Sequence, residues 1–429
     1  MPSNKTAVMK EIDAQIAELE MKYAEYKSRG LKLNMTRGKP CDQQLDISAE
    51  MNTVLSPEDY LAEDGTDCRN YGGLDGIPEA RRLFADLLGT NFENVMVAGN
   101  SSLNMMYDNM LRALLFPLPG SEKSWSAQGQ VKFLCPVPGY DRHFFVTQSL
   151  GIEMINVPMT EQGPDMDVVE ALVASDPMIK GMWSVPVYSN PDGIVYSEEV
   201  CRRLAGMKTA AQDFRIFLDN AYSVHHLYSD KKNSIPDMIS LCAELGNPDR
   251  VFEFASTSKV TYAGAGMAAI ASSEENLNWM RKHMSAQTIG PDKLNQLRHV
   301  RFLKNAEGVY EVMDKHAAIL RPKFELVLDL LEKNLADFDA CHWQKPEGGY
   351  FISVYVSEGT ASEVVRLSNE CGVALTPAGN TYPYGQDPAN SNIRLAPSFP
   401  PLDELRQAIE IFSVCVKLAS LRKLKEQNN

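Results

Sequence analysis

Apolar residues recur at two different spacings along the chain, and each spacing predicts a type of element. From residue 7 to residue 28 they recur at helical intervals among charges, which predicts an amphipathic helix that ends near Gly30. A second helix is predicted over residues 78–88, with a proline in its first turn. The helical pattern of residues 291–334 predicts one long helix that connects two domains.

In the middle of the chain, short apolar runs alternate with longer helical segments, which is typical of parallel βαβ units covered by helices. The strands predicted there are residues 131–135, 152–157, 181–187, 214–218 and 251–254. Further along, the pattern predicts strands at residues 350–356, 373–376 and 392–396, and a terminal helix from Leu402. The sequence therefore predicts an α/β protein, with a large domain of mostly parallel sheet covered by helices and a smaller α+β domain.

The length of 429 residues exceeds what one hydrophobic core usually organises, about 250–300 residues. We therefore expect two domains. Residues 1–60 are predicted to form an N-terminal segment that packs with the small domain, residues 61–300 the large ligand-binding domain, and residues 301–429 the small C-terminal domain.

Composition and charge exclude several classes of protein. The formal net charge of −14 argues against nucleic-acid binding, which requires clustered Lys and Arg. The eight cysteines stand singly, without the spacing of a zinc site or the density of a secreted disulfide scaffold. Residues 1–13 lack the apolar core of a signal peptide, and no apolar run approaches the roughly 20 residues of a membrane span. We expect a soluble cytoplasmic protein with no nucleic-acid partner, membrane partner or metal.

Several polar or glycine-rich clusters come directly after predicted strands. In open parallel sheets, ligands bind outside the carboxyl ends of the strands, so we expect these clusters to converge. In chain order they are Gly99, Asn100, Ser101 and Ser102; Tyr140; residues 190–193; residues 219–222; and residues 256–259.

Three of the clusters indicate chemistry, and each also has a purely structural interpretation. Residues 99–102 have the backbone N–H groups and hydroxyls to receive an anion such as phosphate, or they form an ordinary turn and helix cap. Asp219 would be partly desolvated at the sheet edge and would need a cation, such as a protonated heterocyclic nitrogen; otherwise it is a cap or a surface acid. Lys259 is either a partly buried nucleophile or base, or a solvated charge.

The order and separation of these clusters resemble the fold-type-I aminotransferases, the aspartate aminotransferase superfamily of pyridoxal-phosphate enzymes. The resemblance covers residues 36–397 and includes a Pro-x-Gly-Gly-x-Phe segment at residues 346–351. Each motif is weak alone, but their order and spacing together are specific. The resemblance implies pyridoxal 5′-phosphate as the cofactor.

The resemblance also implies the cofactor contacts. Lys259 would hold the cofactor covalently and move the substrate proton, with Ser256 and Ser258 beside the phosphate. Asp219 would pair with the ring nitrogen, so that the ring can accept electrons from the substrate Cα. The other implied contacts are Asn190 and Tyr222 at the ring oxygen, Tyr140 stacked on the ring unless it is a core tyrosine, and Gly99, Asn100, Ser101 and Ser102 at the phosphate.

Two further implications concern the partner subunit and the substrate. Tyr71 resembles the tyrosine that crosses a dimer interface to the partner's cofactor phosphate, which implies a homodimer with shared active sites. Arg394 resembles the arginine that binds the substrate α-carboxylate with a bidentate fork. For a distal carboxylate the candidates are Arg142 and then Arg37, either of which is otherwise a surface salt-bridge residue. Gly38, next to Arg37, is also assigned to the substrate site.

One position departs from the family pattern. After the lysine, the family usually carries a Gly-x-Arg segment whose arginine binds the cofactor phosphate, whereas this chain has Met267 at that place. A methionine cannot supply the charge. The sequence leaves open whether Lys39 or an unidentified arginine compensates, or whether neutral donors hold the phosphate.

The motifs at residues 34–40, 99–103 and 256–259, without the arginine, resemble one bacterial branch of divergent aspartate aminotransferases. That resemblance implies ping-pong transfer between L-aspartate and 2-oxoglutarate, giving oxaloacetate and L-glutamate. Two alternatives stay open: another pyridoxal-phosphate transferase or lyase acting on a different amino acid, and a cofactor-binding transcription regulator. The second is disfavoured by the acidic balance and by the few residues before Thr36.

Overall fold

The computed structural model describes residues 2–339 and 341–428. The α-helices are α1 Pro2–Ser28, α2 Asp42–Asp46, α3 Pro78–Leu88, α4 Ser102–Leu115, α5 Asp141–Ser149, α6 Met166–Ser175, α7 Glu198–Gly206, α8 Met238–Glu244, α9 Glu274–Met284, α10 Lys293–Leu303, α11 Ala306–Leu335, α12 Ala361–Glu370 and α13 Leu402–Asn428. The strands are β1 Leu33–Asn34, β2 Val95–Val97, β3 Lys132–Val137, β4 Glu153–Thr160, β5 Gly163–Pro164, β6 Ile179–Ser184, β7 Arg215–Asp219, β8 Val251–Ser256, β9 Ala268–Ala271, β10 Cys341–Trp343, β11 Ile352–Val356, β12 Val373–Ala374 and β13 Asn392–Leu395.

The large sheet has eight strands in the order β2-β9-β8-β7-β6-β3-β4-β5. Strands β8, β7, β6, β3 and β4 are parallel to one another, whereas β9 runs antiparallel to both of its neighbours and β5 antiparallel to β4. The predicted α/β class with a mostly parallel sheet is therefore confirmed. Because the parallel strands end at one edge, the segments that follow them lie side by side there.

Both faces of this sheet are buried, as the continuous apolar runs require. Along β7, Ile216 and Leu218 point into the core on one face, and Phe217 points into the aromatic-rich core on the other. In that second core, Phe217 packs edge-on against Phe133 at a ring separation of 5.5 Å. These two cores fix the strand ends, and with them the side chains that follow each strand.

A second, smaller unit has its own core. Its three-stranded antiparallel sheet has the order β10-β11-β13, and a separate parallel pair joins β1 to β12. Helix α11 joins the two units, since Val309 packs in the large-sheet core and Leu331 in the small-domain core. The chain division at residues 60 and 300 stays a prediction. Ile47 and Leu55 fall within the predicted N-terminal segment, yet both pack against the large-sheet core.

The structure corrects one predicted element and contains strands that were not predicted, among them β9. The long helix predicted over residues 291–334 is wrong in its continuity, because it is two helices, α10 and α11. Lys304 breaks it with a φ of 65°, and the Asn305 side chain caps α11 by accepting from the Gly308 N–H. Strand β9 was not predicted at all; its four small and apolar residues carry little periodic signal.

Length alone would allow three of the helices to cross a bilayer. Helices α1, α11 and α13 have 27, 30 and 27 residues, against the roughly 20 that a membrane span needs. Their polar faces set them apart from membrane spans. No helix in the described residues combines the length and the apolar character that crossing a membrane requires.

Candidate active site

Lys259 follows β8 and projects among aromatic rings. Its Nζ lies 4.8 Å from the ring centroid of Tyr222 and 6.0 Å from that of Tyr350. His225 is buried beside the same two rings, at centroid separations of 5.6 and 5.7 Å. Burial, reinforced by the positive charge of Lys259, holds the pKa of His225 well below its usual range, so this imidazole adds no charge beside the ammonium.

Asp219, the last residue of β7, is buried with one oxygen paired and one unpaired. His143 Nε2 lies 2.9 Å from Asp219 Oδ2, and the His143 ring stacks on Trp183 at 4.2 Å and 6°. Oδ1 is also buried and has no hydrogen-bond partner among the described residues. A buried carboxylate oxygen without a partner is costly, and a protonated ring nitrogen would satisfy it.

Tyr222 and Asn190 lie together next to this carboxylate. Burial raises the pKa of Tyr222 and the negative charge of Asp219 raises it further, while the charge of Arg394 and a hydrogen bond from Asn190 oppose the rise. The phenol is therefore protonated at neutral pH and has a proton to donate. The Asn190 and Tyr222 side chains thus offer hydrogen bonds at one place in the site.

Tyr140 lies near enough to Lys259 and Asp219 for both charges to shift its pKa. Its ring meets His143 edge-on at 4.9 Å and 75°. Burial raises the pKa of Tyr140 to about 12; the charge of Lys259 acts against this rise, whereas Tyr222 and Asp219 add to it. Lys259 and Asp219 thus act on the same phenol, as expected if the two residues serve one site.

The predicted anion loop lies beside the serines that precede the lysine. Gly99 has a φ of 72°, a conformation that favours glycine, and Ser101 precedes α4 without using its side chain as a cap. Ser256 Oγ and Ser258 Oγ are 3.1 Å apart. A Cβ on Gly266 would lie 2.9 Å from the Asn100 carbonyl and 3.3 Å from Ser258 Oγ, so both segments pack on this glycine.

Met267 and Lys39 do not supply a cation at this loop. Met267 is fully buried just before β9, and its N–H donates to Thr257 Oγ1 at 2.9 Å. Lys39 is exposed, with Nζ 4.0 Å from the ring centroid of Phe399. A different basic residue lies near this segment, Arg298, which the sequence left unidentified.

Arg298 lies on α10, which covers the segment after Lys259. Its guanidinium donates to Asn295 Oδ1, and the Asn295 amide donates in turn to the Gly266 carbonyl at 2.8 Å. Arg298 Nε is buried and has no partner among the described residues. The sequence shows that Arg298 is basic and lies in a helical segment. It does not show that this helix packs against the segment after Lys259.

Arg394, on β13, brings the small domain into the site. Its Nη1 donates to Asp141 Oδ1 at 2.9 Å and to Asn190 Oδ1 at 3.2 Å, and Nη2 lies 3.5 Å from Thr376 Oγ1. The guanidinium carbon is 4.7 Å from the Phe351 ring centroid. The side chain is only 6% exposed, so this positive charge is poorly solvated and suits a carboxylate.

The other predicted substrate and interface residues lie further out. Arg142 is exposed on α5 and lines a cleft with Asn380, Tyr382 and Tyr384, and Arg37 is exposed as well. Gly38 touches the site indirectly, since a Cβ there would lie 2.5 Å from the Phe351 ring. Tyr71 is 82% exposed. The assignments of these residues to substrate or partner stay predictions.

Two further functional candidates were missed in the sequence. His143 and Asp141 both lie in the first turn of α5, directly after Tyr140. The sequence did contain a signal, because Asp141 and His143 follow the predicted ring-stacking residue Tyr140 by one and three positions. The sequence could not show their partners, Asp219 and Arg394, because these lie far away in the chain.

The chain matches known proteins along nearly its whole length. The family model described as aspartate amino-transferase matches residues 8–428. An aspartate aminotransferase of Corynebacterium glutamicum is 50% identical over 403 residues, 94% of this chain and 93% of that protein. A putative aminotransferase of Mycolicibacterium smegmatis is 50% identical over 407 residues, 94% of each chain.

Solved structures give the same result. The crystal structure of an aspartate transaminase from Corynebacterium glutamicum superposes with a TM-score of 0.95 at 49% identity, covering 96% of this chain and 97% of that one. The fold is therefore that of the fold-type-I aminotransferases. By sequence and by structure, this chain belongs to the aspartate aminotransferase family and is an aminotransferase.

Proposed function

We propose that this aminotransferase uses pyridoxal 5′-phosphate to transfer the amino group of L-aspartate to 2-oxoglutarate by a ping-pong reaction. The observation that carries the cofactor assignment is the buried, unpartnered Oδ1 of Asp219. A carboxylate in that position calls for a cation, and a protonated pyridine nitrogen is one. The amino-acid assignment is supported by the relative from Corynebacterium glutamicum, an aspartate aminotransferase.

The residues of the site fit the cofactor group by group. Asp219, oriented by His143, would bind the ring nitrogen, and Tyr140 would stack on the ring. Asn190 and Tyr222 would bind the ring oxygen, since Asn190 and Asp219 are both near enough to Tyr222 to shift its pKa. When bound, the protonated ring supplies an electron sink for the pair left on the substrate Cα.

The phosphate would be held mostly by neutral donors. These are the hydroxyls and N–H groups of Gly99, Asn100, Ser101 and Ser102 at the N-terminus of α4, and of Ser256 and Ser258 at the end of β8. Arg298 is the proposed additional cation, because α10 packs on the segment that contains Met267. Tyr71 of a second subunit is the proposed remaining contact, which would make the enzyme a homodimer.

Lys259 would hold the cofactor and act as the base. As the neutral amine, its Nζ would take the proton from the substrate Cα, and the rings of Tyr222 and Tyr350 lie beside this nitrogen at 4.8 and 6.0 Å. Arg394 would orient the substrate by its α-carboxylate, with Asn190 and Thr376 holding the guanidinium. Arg142 and Arg37, with Gly38 beside the latter, remain the proposed contacts for a distal carboxylate.

Two measurements test the proposal. In Lys259→Ala we expect both the visible absorbance of the bound cofactor and turnover to be lost; full transaminase activity in this variant would refute the assignment. With L-aspartate and 2-oxoglutarate, the wild-type enzyme should form oxaloacetate and L-glutamate in equal amounts. Release of ammonia or alanine instead would indicate a lyase, and turnover only with other amino acids would refute the aspartate assignment.

A further inference from the structure

The charge that would receive the substrate already has a carboxylate bound to it. Arg394 Nη1 donates to Asp141 Oδ1 at 2.9 Å, and the two side chains are 6% and 31% exposed. Arg394 comes from β13 of the small domain, and Asp141 from the first turn of α5 in the large domain. The pair therefore spans the cleft between the domains, at the place where a substrate α-carboxylate would arrive.

Asp141 is not needed to hold the guanidinium in place. Asn190 Oδ1 accepts from the same Nη1, Thr376 Oγ1 lies near Nη2, and the Phe351 ring covers one face. These three contacts are uncharged, so they orient Arg394 and leave its charge available. Among the described residues, Asp141 is the one carboxylate that forms an ion pair with Arg394.

Asp141 can also give up this contact at little cost. Its side chain is about one-third exposed, and it occupies the first turn of a helix, where the backbone N–H groups and the helix dipole stabilise a negative charge. Arg394, by contrast, is buried and would be left uncompensated without an anion. An incoming substrate carboxylate can therefore take the place of Asp141 on Arg394, and the arginine stays paired with an anion throughout.

We propose that Asp141 is a resident counter-ion that competes with the substrate α-carboxylate for Arg394, and so weakens the binding of amino and oxo acids alike. This inference rests on the proposed role of Arg394. The competition keeps the buried arginine neutralised between turnovers, and it lets product leave because Asp141 takes the vacated place. It makes Asp141 a residue that sets affinity.

The test is the affinity of the cofactor-loaded enzyme for succinate, a dicarboxylate with no amino group to react. Asp141→Asn keeps the shape and removes the charge, and we expect it to lower the dissociation constant of succinate about five- to tenfold in calorimetric titration. The KM values for L-aspartate and 2-oxoglutarate should fall together. Asp141→Glu, which keeps the charge, should bind succinate like the wild type.

A matched control removes one negative charge elsewhere on the large domain. Glu161→Gln, at the exposed turn between β4 and β5, should leave the dissociation constant of succinate unchanged. If it strengthens binding as much as Asp141→Asn does, the effect belongs to net charge and the proposal fails. An unchanged or weaker affinity in Asp141→Asn would also overturn it, because Asp141 would then serve only to position Arg394.

Arg394→Ala separates this proposal from the assignment of the site. If that variant binds succinate as the wild type does, the role of Arg394 is wrong and the proposal falls with it. If Arg394→Ala weakens binding, adding Asp141→Asn to it should have no further effect. A gain from Asp141→Asn that persists without the arginine would overturn the competition while leaving the role of Arg394 intact.

Discussion

Asp219 and Arg394 are both charged, buried and part of one site, but they are held in different ways. Asp219 ends a central strand of the large sheet, and its partner His143 is itself stacked on Trp183 within the same domain. Arg394 lies on the small-domain sheet, and two of its polar contacts, Asp141 and Asn190, belong to the other domain. Asp219 is thus held within the packed core of one domain, whereas Arg394 is held by contacts that cross the cleft between the two domains.

The difference matches what each side would bind. A cofactor that stays through many turnovers is best served by groups fixed in a packed core, whereas a substrate must enter and leave. Polar contacts across a cleft can be exchanged for contacts to the substrate, as the Asp141 contact illustrates. The comparison predicts that changes on the Asp219 side remove the chemistry and that changes on the Arg394 side alter affinity.

The largest effect is expected at Asp219. In Asp219→Ala the ring nitrogen would lose its buried counter-ion, and kcat/KM for L-aspartate should fall by about 10²- to 10⁴-fold, since breaking a buried ion pair costs about 3–5 kcal/mol. Steady-state kinetics with cofactor content measured by absorbance checks this. Asp176→Asn, whose ion pair with Lys132 lies at the start of β3, is the control and should stay within about twofold of the wild type. More than a tenth of wild-type activity in Asp219→Ala would contradict the prediction.

On the other side, Arg394→Lys should act on affinity. The change keeps the charge but loses the bidentate fork, so the KM values of the amino acid and of the oxo acid should both rise roughly 10- to 100-fold. If Arg394→Lys lost the absorbance of the bound cofactor while both KM values stayed constant, the division between the Asp219 and Arg394 sides would be wrong. A rise in only one of the two KM values would show that the α-carboxylate is not the shared target.

A smaller effect is expected at His143, which touches Asp219 but not the substrate. His143→Phe keeps a ring stacked on Trp183 and removes the hydrogen bond to Asp219 Oδ2. We expect cofactor affinity, measured by equilibrium dialysis, to weaken roughly tenfold, with little change in the KM for L-aspartate. A rise in KM without weaker cofactor binding would contradict the division between the two sides.

The smallest effect is expected at Asp192, which links the large and small domains away from the reacting groups. Asp192 follows Asn190 in the large domain and accepts from the Tyr355 hydroxyl of β11 at 3.0 Å. Burial raises the pKa of Asp192 to about 6, and the hydrogen bonds from Ser353 and Tyr355 oppose the rise. In the unfolded chain an aspartate titrates near 3.9. Between about pH 4 and 6 the folded protein therefore binds more protons than the unfolded chain, and its stability falls as pH rises through this range.

Asp192→Asn does not titrate, so it should escape this loss. The melting temperature of the variant minus that of the wild type should increase from pH 5 to pH 7.5. The increase should correspond to roughly 1 kcal/mol of unfolding free energy. Thermal denaturation of both proteins at the two pH values measures the difference. Melting temperatures that change in parallel would show that Asp192 does not contribute to the pH dependence.

Much of the frame was predictable from the sequence because it follows from local patterns. The strands before Tyr140, Asp219 and Lys259 are apolar runs that must be buried on both faces, and the polar residue that ends each run lies at the sheet edge. The break at Lys304 escaped prediction, since a lysine with positive φ has no sequence signal. Met267 was recognised as a departure, but the packing of α10 with Arg298 over that segment was not.

The sequence by itself determined the α/β class, the strand ends that carry Asp219 and Lys259, and the family to which their order belongs. Only the tertiary structure decided the pairings, such as His143 with Asp219 and Asp141 with Arg394, the last separated by 253 positions. Hydrophobic periodicity depends on residues that are close together in the chain, so it can be read from the sequence. Which charges meet across a cleft depends on how two separately packed cores come together, and no local pattern records that.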